Sequence, residues 1–369
     1  MATLSQCATR CDLPTVLGAP NTMSMNRSVH TAMDSLGTIA LVYPNFYILQ
    51  ASGEPNNGSQ ANIRASVEYP EGVFTQITFK GSATGAIPVG GLIQSDTVSV
   101  NIPKGATFWV RTWFYNPAGM FYNDYGTVDF GGDAMQYGTA LADLTMGGTV
   151  THQNVSLKIS YKPAAILSNT DVNSVFLFGD SKVHGTNDVI DSGRGTRGEL
   201  ARAFEKAVPY IWHGVSSLTL NQVVNTANYF NNRKALMNYC SAIICNLGIN
   251  DISASRTPAQ ILADINTFKS FAPGLPMYWC TLAPHSTSTD SWATTANQTP
   301  SSLQTNRVAT NLNIRSLKNI DGYLEIADIV ESARDSGIWK AAWTNDGVHE
   351  MPVAYKAIES SLTIPWALL

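Results

Sequence analysis

The stretch Val175-Phe176-Leu177-Phe178-Gly179-Asp180-Ser181-Lys182-Val183-His184-Gly185 decides how the second half of the chain is read. Four consecutive apolar residues leave no polar face, so the strand they form must be covered on both sides, as strands of parallel sheets are. The run stops at a Gly-Asp-Ser turn. Ligands of parallel sheets bind outside the carboxyl ends of the strands, which puts Ser181 where a functional side chain belongs. Similar short apolar runs recur at residues 242–245 and 277–280, and Tyr323-Leu324-Glu325-Ile326 reads as a fourth strand. Between them, helical patterns cover residues 197–207, 258–271 (with Pro258 at a tolerated early position) and 306–318. Strand and helix alternate, which predicts an α/β domain with helices on both faces of a parallel sheet, over residues 169–369.

Working back toward the N-terminus, the hydrophobic period changes to two near residue 170. Ile63, Ala65, Val67 and Tyr69 form one apolar edge, and Val98, Val100 and Ile102 another. Beyond the turn Pro103-Lys104-Gly105 come Phe108, Val110, Thr112 and Phe114, and a last edge is Val155, Leu157, Ile159 and Tyr161. Gly-, Pro- and Asn-rich turns separate them. This half, residues 30–168, is expected to be an all-β sandwich of jelly-roll type, with residues 1–29 an irregular arm.

Composition narrows the function. Of 369 residues only 14% are charged, against about 25% in an average soluble protein, while 44% are apolar. Ser, Thr, Asn and Gly replace the missing charge, as on extracellular and virion surfaces. A net charge of −4 with 23 Lys and Arg leaves no electrostatic footprint for nucleic acid or anionic lipid. No apolar run approaches the roughly 18 residues of a membrane span, and Met1–Asp12 reads as no secretory signal. The five cysteines show no metal-ligand spacing, so no metal is expected. Cys245 and Cys280 fall in apolar runs as buried thiols. Cys7 and Cys11 stand close enough in sequence to bridge each other or a neighbouring chain.

Four polar side chains follow suitable strands or lie near the end of the chain. Ser181 follows the first run and Asn250 the second, within Gly248-Ile249-Asn250-Asp251; Asp346 and His349 lie three apart within Asp346-Gly347-Val348-His349. A serine becomes a nucleophile when a base takes its proton, and the base needs a carboxylate to fix its tautomer. Ser181, His349 and Asp346 are the types required. Other patterns lead nowhere. Gly193–Gly198 fits G-x-G-x-x-G but lies well past a strand end, so no dinucleotide site is read from it. His349-Glu350 lacks the second histidine of a zinc protease, and no G-x-S-x-G elbow occurs. Asp124, Asp129 and Asp133 lack calcium-loop spacing and read as turn residues.

In that order and spacing, the GDS, GxND and DxxH motifs resemble those of the SGNH (GDSL-type) hydrolases, over residues 171–369. The resemblance implies a flavodoxin-like three-layer α/β/α domain that cleaves esters without metal or cofactor. It makes Ser181 the nucleophile, His349 the base and Asp346 its carboxylate. It also implies an oxyanion hole built from the Ser181 backbone N–H, an N–H of a second block and the Asn250 side chain. That block is Trp212-His213-Gly214-Val215-Ser216-Ser217-Leu218-Thr219, in which Ser217 occupies the family's glycine position and Gly214 is a second candidate. Lys182 replaces the usual leucine, read as a surface variation. His184, Trp339 and Trp343 are candidate substrate contacts, with Trp292 nearby. In the β half the candidate surface aromatics are Trp109, Trp113, Phe114, Tyr115, Phe121 and Tyr122. No apolar lid is visible, and the polar loops suit a small acyl group, most simply acetyl, on a carbohydrate. Two other readings use the same residues: a short-chain or lipid esterase or thioesterase, and a glycan-binding or structural virion protein whose hydrolase half is inactive. The resemblance also suggests a phage or phage-derived origin.

Overall fold

The computed structural model describes residues 4–124, 131–154, 157, 159–190 and 195–368. Val155, Asp129, Gly193 and Arg194 lie outside the described residues. The runs at Val175–Gly179, Tyr210–Gly214, Ala242–Cys245, Met277–Cys280 and Gly322–Leu324 form one parallel sheet. Numbered along the chain, its strands lie in the order 2-1-3-4-5, that of doubly wound flavodoxin-like sheets. Alternate residues of each strand point to opposite faces, and the two faces belong to different cores. Phe176 and Phe178 pack with Ile261, Ile265 and Phe268 of the helix Pro258–Lys269. Val175 and Leu177 pack with Leu200, Phe204, Ala354 and Ile358 from the helices Glu199–Phe204 and Pro352–Ser361. Helices therefore cover the sheet on both sides. The helices Pro258–Lys269 and Gln304–Arg315 lie within two or three residues of the sequence reading at each end, whereas Glu199–Phe204 is shorter than expected.

Among the described residues the first half holds two large antiparallel sheets, one of five strands and one of six, and a short two-stranded ladder of Val16–Leu17 with Phe121–Tyr122. Ile63, Ala65, Val67, Phe108, Val110 and Phe114 are buried as their alternation predicts. They share a core with Leu41 and Tyr43 of the facing sheet, whose Tyr43 hydroxyl lies 2.8 Å from Thr112 Oγ1. The edge expected at residues 155–161 forms no described strand: Leu157 is exposed, and the chain pairs instead at Ala165–Asn169. No helix among the described residues is long and apolar enough to cross a membrane.

Residues 4–29 do not form an irregular arm. Met23–Thr31 is a nine-residue strand inside the six-stranded sheet, between Thr107–Tyr115 and Ala134–Gly138. Its pattern was hidden because its buried residues are largely polar: Arg27 pairs with Glu68 at 2.9 Å, and Ser28 Oγ lies 2.8 Å from His30 Nε2. Polar groups that find partners can be buried on either face, which erases the apolar alternation. Residues 6–11 run along the edge of the parallel sheet, where Ala8 and Cys11 carbonyls accept from Tyr210 N (3.2 Å) and Trp212 N (2.8 Å). An edge strand so covered is shielded from pairing with another chain. Cys7 and Cys11 are buried here without a bridge, as are the other three cysteines. Burial raises the Cys11 thiol to about 12, and a thiol that stays protonated is inert.

Candidate active site

Ser181 opens a single helical turn, Ser181–His184, directly after the first strand of the parallel sheet. The turn is tight because Asp180 caps it, its Oδ1 accepting from Lys182 N at 3.0 Å. Gly179 is required by contact: a Cβ there would stand 1.9 Å from Asn246 Oδ1, the atom that accepts from Asp180 N. The strand therefore delivers Ser181 to the sheet's carboxyl edge with little freedom.

The loop after Thr344 brings the other two groups. Gly347 turns at φ +77 with Ser286 O so close that no side chain fits. Asp346 Oδ1 accepts from Val348 N at 2.9 Å and His349 N at 2.8 Å, while Oδ2 lies 2.7 Å from His349 Nδ1. His349 Nε2 lies 2.8 Å from Ser181 Oγ. Partial burial would raise the Asp346 pKa, yet the bonds from His349 and the two backbone N–H groups outweigh it and hold the carboxyl well below its usual range. A charged Asp346 keeps the proton of neutral His349 on Nδ1 and leaves Nε2 free to accept the serine proton.

The remaining expected donors follow the flanking strands. Gly179 is opposite Gly214, and Phe178 is opposite Cys245, so the segments carrying Ser217 and, in the short helix Ile249–Ser253, Asn250 leave the sheet beside Ser181. Asn250 Nδ2 donates to Leu218 O at 3.1 Å, tying the two segments together. Asp251 accepts from Leu220 N (2.8 Å) and Asn221 N (3.0 Å), the first N–H groups of the helix Leu220–Asn225. Ser217 adopts φ +61, the left-handed conformation that glycine takes without strain. Gly214, the second candidate, is held in the strand: a Cβ there would stand 2.2 Å from His184 N. Replacing Ser217 by glycine should thus leave stability unchanged or raise it, whereas Ser217→Val should cost about 1–3 kcal/mol. Urea unfolding of the two variants measures the difference, and equal midpoints would contradict the strain.

Among the candidate substrate contacts, Trp339 is corrected. It is fully buried, and its Nε1 donates to Gly347 O at 3.0 Å, so it supports the histidine loop from beneath. Trp343 and Trp292 are half-buried beside that loop; Trp292 Nε1 donates to Ser286 Oγ at 3.0 Å. His184 is buried against Trp212 with Nδ1 3.4 Å from Ser216 Oγ, and burial keeps it neutral. Of the β-half aromatics, Phe114 and Phe121 are core; Trp109, Trp113, Tyr115 and Tyr122 are half-buried.

Lys182 is also corrected. It is no surface variation: it is 3% exposed, and its Nζ lies 2.9 Å from Oε1 of the buried Glu350. The signal was present as opposite charges at matching places, one residue after Ser181 and one after His349. A loop of the β half was missed as well. Gln50 Nε2 reaches Ser217 O at 3.4 Å and Gln222 Oε1 at 2.8 Å, while Glu54 Oε1 pairs with Arg233 Nε at 3.0 Å.

No family model matches the chain, and no curated protein matches it. Solved structures that resemble it are described as esterases, acylhydrolases and GDSL-type lipases. An aryl esterase from M. smegmatis is 16% identical with a TM-score of 0.35, over 52% of this chain and 96% of that one. A carbohydrate acetylesterase from Sinorhizobium meliloti is 16% identical with a TM-score of 0.34, over 51% and 94%. A GDSL-like protein from Bacteroides ovatus is 12% identical with a TM-score of 0.34, over 91% and 80%.

Proposed function

We propose that the chain is a serine esterase of SGNH (GDSL) type acting on a small acyl ester, most simply acetyl, carried by a carbohydrate. The observation that carries this is the unbroken relay Ser181 Oγ, His349, Asp346, with separations of 2.8 and 2.7 Å. Ser181 passes its proton to His349 Nε2 as Oγ attacks the ester carbonyl. The tetrahedral oxyanion takes hydrogen bonds from the N–H groups of Ser181 and Ser217 and from the Asn250 N–H not held by Leu218. His349 returns the proton to the departing alcohol. Water, deprotonated by the same imidazole, then releases the acid and restores Ser181. Every step is served by these side chains and backbone donors without a cofactor. Asn250→Ala should lower kcat by about 10²–10³, measured on p-nitrophenyl acetate; a loss under threefold would remove Asn250 from the hole.

Support for the carbohydrate comes from the rim. The hairpin Ser286–Ser288 and Gln298–Pro300 carries Trp292 among Ser, Thr and Asn side chains next to Gly347. Indole faces with neighbouring hydroxyl and amide groups suit a sugar ring. The first half, with the strand Met23–Thr31 included, we take as a sandwich-like accessory domain that borders the cleft, as the reach of Gln50 to Ser217 supports. The charge-poor, Ser/Thr/Asn-rich composition is consistent with an extracellular or virion-borne, phage-derived enzyme. A series of p-nitrophenyl esters tests the acyl preference: kcat/KM should fall about 10-fold or more from acetyl to octanoyl. Acetate should also be released from an acetylated polysaccharide. A preference for octanoyl would replace this reading with a lipid esterase.

A further inference from the structure

Beneath the relay lies a buried polar cluster that the proposed chemistry does not use. Asp180, Lys182, Glu199, Asn246 and Glu350 are each at most 4% exposed. Lys182 Nζ lies 2.9 Å from Glu350 Oε1 and sits 4.9 Å from the centre of the Trp339 ring. Asn246 Nδ2 donates to Glu199 Oε2 at 2.9 Å and to Asp180 Oδ1 at 3.3 Å. Three carboxyl groups thus surround one ammonium. Burial, reinforced by Glu350, pushes the Glu199 carboxyl well up, and burial raises Asp180 as well. Burying an ion pair gains little net stability and is often neutral against an apolar pair of similar volume. Its place here therefore calls for another explanation.

That explanation is where the two residues stand. Lys182 follows Ser181, and Glu350 follows His349, in segments 168 residues apart along the chain. The two hydrogen bonds Ser181–His349 and Lys182–Glu350 run side by side between the same segments. Trp339 adds a third strut, its ring against the ammonium and its Nε1 on Gly347 O. We propose that Lys182 and Glu350 are positioning residues, an internal clamp that fixes the His349 loop against the Ser181 turn at the reacting distance. The inference rests on the esterase reading for its effect on rate, and on geometry alone for its effect on the imidazole. A misplacement of about 1 Å at such a site costs about 10²-fold in rate.

The test uses the full chain and three variants: Lys182→Met, Glu350→Gln and the double Lys182→Met/Glu350→Leu. The double variant removes both charges together and so avoids leaving one buried and unpaired. Its thermal midpoint should stay near wild type, while kcat on p-nitrophenyl acetate falls about 10²-fold and KM changes less than about twofold. In proton NMR, the imidazole N–H shared with Asp346 should give a far-downfield line in wild type that broadens or vanishes in the double variant. A folded double variant with wild-type kcat and an unchanged downfield line would overturn the clamp. If the double variant does not fold, Glu350→Gln decides by the same two readouts, since it keeps the shape while removing the charge that holds the Lys182 ammonium. Should the wild type cleave no ester, the esterase reading fails by itself, and the downfield line still decides the clamp.

Discussion

Ser181→Ala is expected to lower kcat on p-nitrophenyl acetate by about 10⁴-fold or more while the protein stays folded. The hydroxyl has one side-chain partner, His349 Nε2 at 2.8 Å, so its removal costs about one hydrogen bond, near 1 kcal/mol. The chemistry loses its nucleophile outright. His349→Ala should cost a similar factor, and the two substitutions together little more than either alone, because groups that act as a unit do not add. A product of the two single losses would mean that the residues act separately. An alanine variant that turns over at the wild-type rate would remove Ser181 from the reaction.

Asp346→Asn is the second large effect, about 10⁴-fold in kcat. The cause is the tautomer. Asp346 accepts four hydrogen bonds, three on Oδ1 from the Val348 and His349 N–H groups and the Thr344 hydroxyl, and one from His349 Nδ1 on Oδ2. Asparagine has one acceptor oxygen. Keeping the two backbone bonds turns its NH₂ toward the imidazole, which then accepts at Nδ1 and carries its proton on Nε2. That proton faces Ser181 and blocks the transfer. The loop geometry should survive, so KM should change little; a KM rise with kcat intact would show that Asp346 shapes the pocket instead.

The legible parts of the fold were those where burial alone writes the sequence. Val175–Gly179, Ala242–Cys245 and Met277–Cys280 are apolar on both faces because helices cover both, and each stands within a residue of its reading. Met23–Thr31 was not legible because Asn26, Arg27, Ser28 and His30 are buried through partners far away in sequence, such as Glu68. Single-sequence periodicity cannot see a salt bridge that a later strand supplies. The site divides the same way. Ser181, Asp346 and His349 could be read because chemistry dictates their types, and the structure brings all three within hydrogen-bond reach. Trp339 was misplaced because its segment looks like a polar loop, whereas Gln298 satisfies its backbone N–H at 2.9 Å and C=O at 3.0 Å and lets it sink. Ser217 was legible in position, but its positive φ was not.

The central claim is that Ser181 carries the acyl group during turnover. The direct measurement is to mix the protein with p-nitrophenyl acetate, quench in acid within the first turnovers, and map the acetylated peptide by mass spectrometry. The account predicts one acetyl group on the peptide containing Ser181 in the wild type and none there in Ser181→Ala. Acetyl on another residue, or turnover in the wild type with Ser181 never modified, would contradict it.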